Sequence, residues 1–170
     1  MDTMGIWRFD TSEGVESALR TTERLQTRRL VTIDDAAVVM WRAGARRPRG
    51  YQVGTAAGTT ALSGAFWGLL FGHLLLLPMA GEQETADVLA RIGLTDGFLA
   101  ETRARVTPGT SALFLIADAA AVKALHEAFT DGADLLVRTL HPAHEAALRR
   151  AFAADETDES DGFSSDAAAR

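Results

Sequence analysis

The chain has 170 residues, 47% of them hydrophobic and 24% charged, a composition of folded domains at a length that suits one core rather than two. A formal net charge of −6 argues against a generally basic nucleic-acid binder, so no nucleic-acid partner is expected. There is no cysteine, which excludes disulfides, thiolate metal sites, iron–sulfur clusters and cysteine nucleophiles.

The first 30 residues carry Asp2, Asp10, Glu13, Glu16 and Glu23 without an apolar run, so no secretory signal is expected. Ile6–Phe9 reads as a short strand. Asp10 followed by Glu13 resembles a capping box, and Val15, Ala18, Leu19, Thr22 and Leu25 keep helical spacing, which predicts a helix over 11–28. Ile33–Trp41 reads as a strand, and Arg42–Gly50, with two glycines, a proline and four arginines, as a loop.

From Gly50 to Gly81 there is no Asp, Glu, Lys or Arg, and Ala61–Leu77 is the most apolar part. Since about 17–25 apolar residues span a bilayer, this stretch stands at the threshold of a membrane span. Two short amphipathic helices are expected next, over 82–93 and 95–106, then a turn at Thr107-Pro108-Gly109. Ser111–Ala117 reads as a strand, 119–130 as a helix, Leu135–Leu140 as a strand, and Pro142 opens a last helix. Residues 154–170 turn acidic and lose periodicity, and are read as a disordered tail.

Without its middle the pattern is strand–helix–strand twice over. The expected fold is therefore α+β, a ferredoxin-like split βαβ sandwich (βαββαβ) over residues 5–153, with four strands and an all-helical, glycine-rich insertion at 50–108 between strands 2 and 3. The strands do not alternate as a half-solvated sheet would. Ala36, Val38 and Met40 oppose Ala37, Val39 and Trp41, and Leu113 and Leu115 oppose Phe114 and Ile116, so both faces are apolar. Each large apolar side chain left wet forgoes roughly 1.5–3 kcal/mol. The face away from the helices needs a cover, and the insertion and a second subunit are both expected to contribute.

Gly54, Gly58, Gly64, Gly68 and Gly72 are spaced by four, six, four and four residues, with Ala65 interleaved. Residues four apart share a helix face, so these small residues form a seam along which another helix can approach closely. Each helical glycine costs nearly 1 kcal/mol relative to alanine, which implies compensation by packing. The expected self-association surface comprises Gly54, Gly58, Gly64, Ala65, Gly68 and Gly72, flanked by Phe66, Trp67 and Leu70, in a homo-oligomer.

The alternative is membrane contact, with Phe66, Trp67 and Phe71 as anchors and the Arg42–Arg49 loop at the headgroups. A single span would separate the two halves of one sheet across a bilayer. A returning hairpin would carry Glu82, Glu84, Asp87 and Arg91 through lipid, at about 2.5–3.5 kcal/mol for each charge at the centre.

FDTSEGVESAL, LVTIDDAAVVMW, GAFWGLLFG and the PGTSALFLIAD run together resemble domain-of-unknown-function family 1269 over about residues 6–153. The resemblance implies a bacterial protein with a glycine-rich apolar middle, of a kind often labelled an uncharacterised membrane protein. It implies no reaction and no catalytic residue. Such proteins usually continue into a second glycine-rich apolar stretch, where this chain has EQETADVLARIG.

Other candidates read as structural. His141 and His144 beside Glu145 suit a helix start better than a metal site. His73, within the apolar helix, suits an interface or a backbone hydrogen bond. Asp34 and Asp35, with Asp10, read as solvated at a strand start rather than as paired catalytic carboxylates. The Arg42–Arg49 cluster could meet phosphate or anionic lipid, or pair with the acidic tail. Gly54–Gly58 lacks the residues of a phosphate-binding loop, and no Ser–His–Asp signature is present. The expectation is a non-enzymatic, self-associating cytoplasmic protein without a cofactor. The alternatives are a protein of the inner membrane or its cytoplasmic surface, and a small-ligand sensor module.

Overall fold

The first strand, β1 (Asp2–Phe9), begins four residues before the apolar pattern does. Thr3 to Arg8 are held on both sides, opposite Ala117 to Ala112 on one neighbour and Thr139 to Asp134 on the other. In the computed structural model, which describes residues 2–53, 62–75, 82–129 and 133–152, β1 joins β2 (Ile33–Met40), β3 (Arg49–Val53), β4 (Ser111–Asp118) and β5 (Asp134–Thr139). They form one antiparallel sheet in the order β3-β2-β4-β1-β5. The helices among the described residues are α1 (Gly14–Thr27), α2 (Gly64–Leu74), α3 (Glu82–Arg91), α4 (Asp96–Arg105), α5 (Ala119–Ala128) and α6 (Pro142–Phe152). The protein is thus a mixed α+β fold.

The sheet has five strands rather than four, and the segment after residue 50 does not begin as helix. Arg49–Val53 pairs with Met40–Ala36 as an edge strand. Its exposed Arg, Gly and Tyr positions blur into the loop before it, so no apolar alternation marks it. Gly50 has a packing reason. A Cβ there would stand 2.8 Å from Cδ2 of Phe71, which lies over it from α2.

Helix starts follow local chemistry, with one departure. Asp10 does not cap α1. It pairs instead with Arg8 at 2.8 Å, and α1 starts at Gly14 after Glu13, whose side chain makes no capping bond. The first turn is held from the sheet: Val15 N–H donates to Ser111 Oγ at 3.1 Å, and that hydroxyl donates to the Thr11 carbonyl at 2.7 Å. Asp118 does cap α5, accepting from Ala121 N–H at 2.7 Å, and Thr95 caps α4 through Phe98 N–H at 3.4 Å.

Both sheet faces are buried, as the doubled apolar pattern requires. On one face Trp7, Phe9, Ile33, Ala36, Val38, Leu113 and Leu115 pack beneath α1 (Val15, Ala18) and α5 (Ala121, Val122, Leu125). On the other, Met4, Ile6, Ala37, Val39, Ala112, Phe114 and Ile116 are covered by α2, α3 and α4, together with Leu148 of α6. The inserted helices fold back over their own sheet. The predicted tail, 154–170, lies outside the described residues.

Candidate functional site

The glycine-spaced segment becomes α2, an 11-residue helix with a sharply divided surface. Phe66, Trp67, Leu70, Phe71 and Leu74 point at the sheet and are at most 7% exposed. Their rings interlock: Phe66 lies 4.9 Å from Trp67, Trp67 5.8 Å from Phe71, and Phe71 meets Phe114 of β4 edge-on at 5.2 Å. Such pairs add about 0.5–1.5 kcal/mol each beyond area burial. Phe66, Trp67 and Leu70 therefore belong to the chain's own core.

The opposite arc of α2 is small and open. Gly64, Ala65 and Gly68 are exposed, and Leu69 is half-buried. A Cβ on Gly68 would meet nothing within 4 Å among the described residues, and one on Gly64 would lie 3.8 Å from Gln52 Oε1. Gly72 is buried near the helix end. Gly54 and Gly58 lie outside the described residues.

The last turn of α2 is tied down by polar partners. Arg103 of α4 donates to the carbonyls of Leu74 and His73, both at 2.9 Å, placing a cation where the helix presents unpaired acceptors. His73 Nε2 shares a 2.6 Å hydrogen bond with Thr85 Oγ1 of α3. The buried-helix histidine is thus a strut between α2 and α3.

A second feature sits where the insertion begins. A bulge between Ile33 and Asp35 shifts the alternation of β2, so Asp35 falls on the insertion side and is fully buried. The reading of Asp35 as a solvated strand start is corrected here, because a one-residue shift carries a side chain to the other face. Its Oδ2 accepts from Leu62 N–H at 2.9 Å, its Oδ1 from Ala36 N–H at 2.8 Å, and Gln52 Nε2 reaches both oxygens at 3.2 Å. Gln52 also donates to the Leu62 carbonyl at 2.8 Å. One carboxylate therefore joins β2, β3 and the chain entering α2. Burial pushes the Asp35 carboxyl above its ordinary value, opposed by the Gln52, Leu62 and Ala36 hydrogen bonds and by the Trp67 indole. Among the described residues the indole N–H itself completes no hydrogen bond.

Beside Asp35 is a small cleft lined by Asp2, Asp34, Leu62, Ile116, Glu145, Leu148 and Arg149, with about 10 Å³ of interior room, the space of one water. Arg149 is the hub of its charges. It lies 2.7 Å from Asp2, 3.4 Å from Glu145 and 3.8 Å from Asp34. Asp34 is raised above its usual range by burial and by Asp2, against the pull of Arg149. Glu145 is lowered despite its desolvation, because Asp2 and Arg149 hydrogen-bond to it. The sequence alone gives no hint that α6 returns to the start of β1, because the two are about 140 residues apart in the chain.

His141 and His144 stand at the start of α6 with ring centroids 6.0 Å apart. His141 Nδ1 accepts from Ala143 N–H at 3.3 Å, and His144 lies over Gly93, where a Cβ would be 2.7 Å from Nδ1. No cluster of three His, Asp or Glu among the described residues is arranged to hold a metal ion. Among the described residues no helix is long and apolar enough to cross a membrane.

Neither the curated proteins nor the solved structures give a match to this chain. A family model does. It covers residues 61–153, which include the aromatic face of α2, the α3–α4 cover, β4, β5 and α6, and leave β1 to β3 outside the matched span. The chain belongs to the family described as protein of unknown function (DUF1269).

Proposed function

We propose that the protein is a non-enzymatic cytoplasmic protein that self-associates through the outer arc of α2, on a ferredoxin-like sandwich scaffold. Two features support the scaffold reading. With the edge strand β3 set aside, the order β2-β4-β1-β5 is that of two interleaved βαβ units, and α1 and α5 lie on one face. The insertion between β2 and β4 covers the other face.

One observation carries the self-association reading. Gly68 sits in the middle of a helix, exposed, with open space where a side chain would go. Neither a turn nor a contact with the described residues asks for glycine there, yet glycine costs a helix interior nearly 1 kcal/mol relative to alanine. Close approach of a second helix is a physical reason for it, and Gly64 and Ala65 extend the same low surface. The homo-oligomer is built from copies of this arc, with Phe66, Trp67 and Leu70 supporting it from behind.

The test is the native mass by light scattering of the wild-type chain, Gly68→Leu and Gly64→Leu. An oligomer in the wild type that falls to a lower mass in both variants, with unchanged circular dichroism, is expected. A monomeric wild type at micromolar concentration sinks the proposal.

A further inference from the structure

The hairpin loop between β2 and β3 carries Arg42, Arg46, Arg47 and Arg49, all exposed. Among the described residues none of the four pairs with an acid. No Asp or Glu occurs anywhere from Ala36 to Gly81, so the chain nearby offers no counter-charge. The loop has a defined shape. Trp41 Nε1 donates to the Ala45 carbonyl at 3.0 Å, Ala45 N–H to the Arg42 carbonyl at 3.0 Å, and Trp41 is tied by its backbone to Gly109 and Thr110. Four cations stand on an anchored turn in a protein whose net charge is −6.

The acidic counterpart is in the same chain. Residues 155–166 contain Asp155, Glu156, Asp158, Glu159, Asp161 and Asp166 and no basic residue. Their point of departure is fixed by Phe152, whose carbonyl accepts from Ser63 N–H at 2.7 Å and whose ring lies 5.5 Å from Phe66. Ser63 precedes α2, and Gly64 faces Gln52 of β3, so α6 ends beside the β3 strand. Arg49 is three residues along β3 from Gln52, about 10 Å at strand spacing. Seven residues of extended chain reach up to about 25 Å, so the first acids arrive at the loop without strain.

Competing cations are less suited. Arg149 is already engaged by Asp2, Asp34 and Glu145. The arginines of α1 lie across the sheet, since α1 covers one face and α6 packs against the other. Arg150 is close but single.

We propose that the acidic segment 155–166 docks in cis on the Arg42–Arg49 loop, neutralising it. Any other anionic partner of that loop then has to displace the segment, and the contact weakens as salt screens it.

The lack of cysteine makes a direct test simple. A spin label on Ser160→Cys in the otherwise unchanged full chain is expected to broaden the backbone amides of residues 43–47 and 49. The broadening is expected to disappear in about 1 M salt, where the screening length is about 3 Å, and in the Arg46→Gln/Arg47→Gln variant. Loop amides that ignore the label overturn the proposal, as does broadening that survives both treatments. Equal broadening when labelled protein is mixed with isotope-enriched unlabelled protein overturns the cis contact in favour of one between copies.

Discussion

The two faces of the sheet are equally dry but sealed by different means. On one, α1 and α5 are crossovers that each step over one intervening strand, α1 from β1 to β2 past β4 and α5 from β4 to β5 past β1, so the cover is brought into place by the chain path itself, and its apolar residues are mostly aliphatic. On the other, α2 to α4 arrive as a separate segment, fixed by an aromatic interlock and by the buried carboxylate of Asp35 at the rim. The first cover follows from connectivity, while the second depends on the fit of a few side chains. Cover of the second kind is expected to be the less cooperative part of the molecule.

The strongest way to break that comparison is to remove the central ring. Trp67→Ala is expected to cost about 3–5 kcal/mol in urea unfolding, as for other buried aromatic truncations. Hydrogen exchange is expected to accelerate in α2, α3 and α4 before α1 and α5. Uniform acceleration across both covers would show them to be one cooperative unit.

Next come two strand glycines, each roofed by an aromatic ring. A Cβ on Gly5 would lie 2.7 Å from the Trp7 ring on the α1–α5 face, and one on Gly50 would lie 2.8 Å from Phe71 on the insertion face. Each substitution to alanine is expected to cost about 1–3 kcal/mol by overpacking. The comparison sharpens if Gly50→Ala loosens only the insertion, read by exchange in α2, while Gly5→Ala lowers global stability.

A smaller effect is expected from acidity. Asp35 has its folded pKa raised by burial above 3.8, so its ionised form destabilises the fold. Stability from this group rises as pH falls through the folded pKa, and is complete below 3.8; it is lost again as pH climbs back. Asp34 acts in the same direction. Glu145, lowered below 4.5, acts oppositely, its contribution being lost as pH falls through its folded pKa. Urea midpoints measured across this range should rise less on acidification in Asp35→Asn than in the wild type. Equal slopes would remove Asp35 as a source of the rise.

The smallest effect is expected at Gly68, where alanine should stabilise the isolated chain by about 1 kcal/mol through helix propensity. Thermal unfolding at low protein concentration would show it. A loss instead would mean that the open arc of α2 is occupied within a single molecule.

The burial of both faces was legible because Ala36–Met40 of β2 and Ala112–Ala117 of β4 are apolar at every position, a pattern with no half-solvated explanation. The crossover helices were legible from spacing, as with Val122 and Leu125 in α5. Three features were hidden for stated reasons. The edge strand β3 carries Arg, Gly, Tyr and Gln, so no alternation announces it. The extension of β1 to Asp2 depends on neighbours over 100 residues away in the chain. The role of Asp35 depends on a bulge, which moves one side chain to the other face while leaving the local sequence looking like an ordinary polar strand start.

The position of β4 has a consequence for how the protein is made. It stands between β2 and β1, which have no hydrogen bonds to each other, and β1 also waits for β5. At about 5–20 residues per second, a ribosome spends roughly 5–20 s between completing β1 and completing β4. Throughout that interval the nascent β1 has neither neighbour and β2 has only the edge strand β3, so Ile6, Trp7, Val38 and Val39 have no complete sheet to enter. Synthesis therefore passes through a long sticky stage that closes only when β4 emerges.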